Sequence, residues 1–87
     1  MILYLKVGSA YSNEARKLVD EVLKLNSDFE CDVVDIDVNT SDGCEEMDTL
    51  SKQGIEMYPA LRIPGIRWIV GVEVMKFLRR KLQQAAG

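Results

Sequence analysis

The stretch Gly54-Ile55-Glu56-Met57-Tyr58-Pro59-Ala60-Leu61 decides how this chain is read. Gly54 stops a helix, because a glycine just past the last turn takes the left-handed conformation without a Cβ penalty. Pro59 has no N–H to give a sheet ladder, so a strand opens only at or beyond it. Two readings of Pro59 stand: an ordinary trans proline at a strand start, and a cis X–Pro bond, which is uncommon and marks a particular turn. Either way a helix, a short connection and a strand follow one another here.

Working outward, Ala60 to Ile63 and Ile66 to Val70 read as short strands joined at Pro64 and Gly65 in a hairpin. A last helix runs from Val72 to about Gln84, with Val74, Phe77, Leu78, Leu82 and Ala85 on its inner face. Upstream, Asp42 and Glu45 have capping-box spacing for a helix to about Gln53, after a loop from Asn39 to Gly43. Cys31 to Val38 is a strand in which Val34, Ile36 and Val38 alternate with Asp35 and Asp37. Before it, Asn26, Ser27 and Asp28 make a turn. The first helix ends near Leu25 and carries an apolar stripe of Ala15, Leu18, Val19, Val22 and Leu23, with Ser9 and Ser12 as candidate caps. Met1 to Val7 is a nearly continuous apolar run, the pattern of a buried strand that Gly8 breaks.

The resulting order is βαβαββα. Its first βαβ unit is expected to be parallel and right-handed, and its closing hairpin antiparallel. That predicts a four-stranded mixed sheet in spatial order 2-1-3-4, sandwiched by three helices, the first and third on one face and the second on the other. The 87 residues make one domain, 1–87, with no internal repeat or linker.

The stretch from Gly54 to Leu61 resembles the thioredoxin-fold segment in which a glycine and an aliphatic residue precede a cis-proline, followed by a small residue and a strand. A second stretch, Lys6-Val7-Gly8-Ser9-Ala10-Tyr11-Ser12, resembles the glutaredoxin pattern of a basic residue, two spacers and Cys-Pro-Tyr-Cys. Lys6 matches the basic residue, Tyr11 the tyrosine, and Ser9 and Ser12 the two cysteines, while Ala10 replaces the proline. Gly71 matches one glycine of the turn that holds the γ-glutamyl end of glutathione in that family. The resemblance spans almost the whole chain. It implies a thioredoxin fold, with catalytic positions at Ser9 and Ser12. It also implies a substrate or glutathione groove at Lys6, Tyr11, Tyr58, Pro59 and Gly71, in which the backbone of Tyr58 pairs with an extended peptide.

The family reaction is thiol–disulfide exchange, in which a thiolate attacks a disulfide sulfur and a second thiol resolves the product. A serine hydroxyl forms no disulfide and is not appreciably ionised near neutral pH. As written, the chain is therefore expected to be a glutaredoxin-like oxidoreductase scaffold that is redox-inactive. Two origins are open: an engineered double Cys→Ser form, or a natural redox-less thioredoxin-fold interaction module of the kind that acts in the cyanobacterial clock by binding alone. The expected partner is glutathione, as a co-substrate, or a cysteine-bearing protein. No resident cofactor or metal is expected.

Composition narrows the alternatives. Net charge is −3, a poor match to nucleic acid, whose affinity comes mainly from phosphate attraction. Arg62, Arg67, Lys76, Arg79, Arg80 and Lys81 make the second half basic, which reads as a solvated helix face set well against the helix dipole. No apolar run approaches the roughly 20 residues of a membrane span. Met1 to Val7 lacks a basic leader and a small-residue cleavage site, so a cytoplasmic location is expected; a monomer is expected as well. There is no histidine to serve as a base or a zinc ligand, and the two cysteines, Cys31 and Cys44, lack close metal-ligand spacing and read as reduced thiols. Asp35, Asp37, Asn39, Ser41 and Glu46 imitate the offsets of a calcium loop, but Thr40 occupies its glycine position and Ile36 and Val38 fit a strand better.

Overall fold

A computed structural model describes residues 1–65 and 67–86. The elements are β1 (Ile2–Lys6), α1 (Ala10–Leu25), β2 (Asp32–Ile36), α2 (Ser41–Lys52), β3 (Ala60–Ile63), β4 (Arg67–Val70) and α3 (Val72–Ala86). The strands form one sheet in the order β2-β1-β3-β4. β1 and β2 are parallel, whereas β3 is antiparallel to both β1 and β4. Ile66, assigned to the closing strand from the sequence, lies outside the described residues.

Alternation along β1 divides the core. Leu3 and Leu5 face α1 and α3, joining Ala15, Val19, Val22, Leu61, Val74, Met75 and Leu78 in one cluster. Tyr4 points to the other face and meets Ile36, Leu50, Ile55 and Ala60 under α2, with its ring 5.6 Å from that of Trp68. The three-to-four-residue spacing of Ala15, Val19 and Val22 is what turns one stripe of α1 onto the sheet. Leu23, expected in that stripe, is exposed instead. Burying each large aliphatic side chain contributes about 1.5–3 kcal/mol. The ion pairs Arg16–Asp35 and Glu14–Arg79 link α1 to β2 and to α3, but both are exposed, so each adds at most about 1 kcal/mol.

Two local expectations are corrected. β2 ends at Ile36, and Val38 is 40% exposed rather than turned inward. The reason lies in Asp37, whose side chain accepts from the Asn39 N–H and whose carbonyl accepts from the Thr40 N–H, turning the chain away from the ladder. The second helix is capped by Thr40, not Asp42: the Thr40 hydroxyl accepts from the Gly43 N–H at 3.0 Å and donates to the Asp37 carbonyl at 2.7 Å. Thr40→Ala is expected to cost about 1 kcal/mol, read as a lower urea midpoint with an unchanged slope. An unchanged midpoint would mean that Asp42 takes over the cap.

Candidate functional site

The parallel strands β1 and β2 end on the same side of the sheet, and the chain leaves β1 there through Val7 and Gly8 into α1. Gly8 has φ +89°, a conformation that a side chain rarely adopts. It lets the chain turn sharply enough for Ser9 to cap α1 directly. The Ser9 hydroxyl accepts from the Ser12 N–H at 3.3 Å, and the Ser9 carbonyl accepts from the Asn13 N–H. The first amides of a helix have no partner within it and carry a partial positive charge. Ser9 therefore stands at an electropositive edge.

Ser12 is one turn into the helix and only 2% exposed. Its hydroxyl accepts from the Lys6 backbone N–H at 2.9 Å, tying α1 to the end of β1. The two serines thus have different surroundings. Ser9 is half-buried at the helix tip, whereas Ser12 is sealed beneath it.

Opposite Ser9 lies the segment that the sequence singled out. The Tyr58–Pro59 peptide is cis, and Pro59 is buried. Its carbonyl accepts from the Gly71 N–H at 2.8 Å. Gly71 has φ +61°, and a Cβ there would lie 3.2 Å from the Met57 Cε. A cleft of about 330 Å³ is lined by Lys6, Val7, Gly8, Ser9, Glu56 and Tyr58. Of the residues picked from sequence, Lys6, Ser9 and Tyr58 share this cleft. Pro59, Gly71 and Ser12 do not line it: Pro59 follows Tyr58 and bonds Gly71, and Ser12 bonds the Lys6 backbone. Tyr11 does not line it; its side chain is 53% exposed on the first turn of α1.

Sequence reasoning missed Glu56. It sits in the quoted stretch and lines the cleft with Lys6, and its carboxylate accepts from the Ser51 hydroxyl at 3.1 Å. Nothing in its spacing marked it. The cleft therefore carries one charge of each sign. The Tyr58 hydroxyl is buried with no hydrogen-bond partner among the described residues. Burial, with a smaller contribution from the Glu46 carboxylate, pushes its phenol above the ordinary value, so it stays protonated as a donor.

Both cysteines are free thiols. Cys31 is half-buried just before β2, and desolvation pushes its thiol up, which lowers its thiolate fraction and its reactivity. Cys44 is exposed on α2, where its Sγ donates to the Val38 carbonyl at 3.1 Å. Neither lines the cleft at Ser9. Among the described residues no three His, Cys, Asp or Glu side chains are grouped to hold a metal, and no helix is long and apolar enough to cross a membrane.

No protein-family model, no curated protein and no solved structure matches the chain.

Proposed function

We propose that the domain is a thioredoxin fold of glutaredoxin type, whose cleft binds glutathione or an extended cysteine-bearing peptide. With serine at both redox positions it binds without exchanging disulfides. In this reading it works as a cytoplasmic monomer with no resident cofactor. The observation that carries the proposal is the meeting of Ser9 at the α1 tip, Lys6 and Tyr58 around one cleft. The helix tip and the Lys6 ammonium favour a ligand carboxylate or thiolate. The Tyr58 backbone offers a strand-like edge to a peptide.

A second reading, a natural interaction module, is favoured by the hydrogen bonds of the serines. Ser9 caps the helix and Ser12 holds Lys6, tasks for which a thiol, being a weaker hydrogen-bonding group, is poorly suited. Val7, which lines the cleft, is an exposed apolar side chain there.

The test is a titration of the protein with reduced glutathione, followed by amide chemical shifts. Saturable shifts at Gly8, Ser9, Tyr58 and Gly71, with a dissociation constant on the order of millimolar, are expected. Lys6→Glu is expected to weaken binding about tenfold by replacing an attraction with a repulsion. A protein whose shifts do not move with glutathione, but do move at the same residues with an extended peptide that lacks cysteine, would select the interaction module. Silence toward both would overturn the site.

A further inference from the structure

The sheet has two edges, and they are guarded differently. β2 carries Asp32 and Asp35 and is exposed at both, a common way to discourage strand addition. β4, Arg67–Val70, borders a cleft of about 380 Å³ that runs between it and α3.

The ladder shows which backbone groups of β4 are open. The Gly71 N–H bonds the Pro59 carbonyl, and β3 and β4 pair Leu61 with Ile69 and Ile63 with Arg67. Antiparallel pairs alternate between bonded and non-bonded. Ile69 and Arg67 therefore turn their N–H and C=O groups toward β3, while Trp68 and Val70 turn theirs to the open side. Ile69 packs against the core under α3, so Arg67, two residues away, projects from the same face of the sheet. Arg80 reaches the same cleft from α3. Among the described residues neither guanidinium has a carboxylate partner. The acid in the cleft, Glu73, is taken by Lys76 at 3.3 Å.

An open strand edge beside two unengaged guanidinium groups fits one kind of occupant. We propose that β4 docks an extended acidic peptide segment of a partner protein as a fifth strand, with alternate carboxylates meeting Arg67 and Arg80. Main-chain bonds to Trp68 and Val70 hold the segment, and the period-two spacing of its acids sets the choice of partner. Arginine suits the task, since its planar fork takes a carboxylate in two parallel bonds. This site is separate from the cleft at Ser9 and does not depend on the function proposed for it.

The probe is a fluorescein-labelled peptide, Asp-Val-Asp-Val-Asp-Val-Asp, followed by anisotropy and amide exchange. Saturable binding is expected, with the Trp68 and Val70 amides gaining protection and those of β2 unchanged. Arg67→Glu with Arg80→Glu is expected to weaken it about tenfold or more and to turn the preference toward a Lys-Val repeat. Both arginines are exposed, so the fold should survive; the milder Arg67→Gln and Arg80→Gln variants, checked by circular dichroism, repeat the test with smaller losses. Three results would overturn the proposal. One is equal binding of an acidic peptide with proline at alternate positions, which leaves charge attraction without strand addition. Another is protection appearing at β2 instead. The last is concentration-dependent self-association that the arginine changes abolish, since β4 would then be covered by a second copy of the chain.

Discussion

Replacing Ser9 and Ser12 together by cysteine is expected to yield a glutathione-dependent disulfide reductase with a reversible internal disulfide. The serine form has no thiol at the cleft, since Cys31 and Cys44 both lie away from it, so the contrast expected at this site is between a measurable rate and none. The two positions should not be equivalent. Ser9 is half-buried at the helix tip, where the unpaired amides and the nearby Lys6 would lower a thiol below its usual value of about 8.5. Ser12 is 2% exposed and closed off from substrate. A thiol at position 9 should therefore attack and one at position 12 should only resolve. Ser9→Cys alone should form a mixed disulfide with glutathione, and Ser12→Cys alone should stay inert. In the double variant, Lys6→Ala should raise the attacking thiol by up to roughly one pKa unit, or about tenfold less thiolate below that pKa. The assay is reduction of a glutathione mixed disulfide, with intact mass under oxidising and reducing conditions. A folded double variant that forms no disulfide and reduces nothing would remove the redox reading. Activity from Ser12→Cys alone would reverse the assigned roles.

Gly43→Ala is expected to destabilise the fold by about 1–3 kcal/mol or more, the range for forcing extra volume into a packed site. Helix propensity alone argues the opposite, because alanine is favoured over glycine inside a helix by about 1 kcal/mol. Contact decides the sign. A Cβ at Gly43 would fall 1.9 Å from the Asp37 carbonyl oxygen and 2.6 Å from its carbonyl carbon. Both are backbone atoms, so no side chain can swing aside. The first turn of α2 would have to lift off the loop after β2, breaking the Thr40 cap bond to the Gly43 N–H. Urea unfolding measures the loss, and Asp42→Ala, at an exposed position in the same turn, is the control expected to change little. Equal stability for Gly43→Ala and the parent protein would mean that α2 does not sit this close.

The candidate site was legible where chemistry and chain order coincide. Ser9 and Lys6 lie three residues apart across a strand end, and Gly54 through Leu61 carries its own turn signal, so local rules reach them. Glu56 was not legible, because a lone exposed acid has no pattern, and its place beside Lys6 and Ser9 joins segments nearly fifty residues apart. The unequal burial of Ser9 and Ser12 was hidden as well. Both fit a helix start equally in sequence, and which one is sealed depends on how α1 lies on β1, where Ser12 bonds the Lys6 N–H.

By itself the sequence determined the element order, the parallel first pair and the antiparallel hairpin. Periodicity and turn residues are local signals, and the handedness and short connections of such a chain leave few ways to join them. Tertiary structure alone decided where β2 stops, which residue caps α2, and why Gly43 must be glycine. Each is a contact within residues 37–43, where the loop after β2 folds back on the first turn of α2, and hydrophobic spacing does not encode that path. Val38 shows the difference most simply. Its alternation with Ile36 continues the strand on paper, but Asp37 takes the backbone bonds of Asn39 and Thr40 and ends the ladder two residues early. Hydrophobic spacing says which face a residue would take in a strand; whether the strand is still there depends on the partner that bonds it.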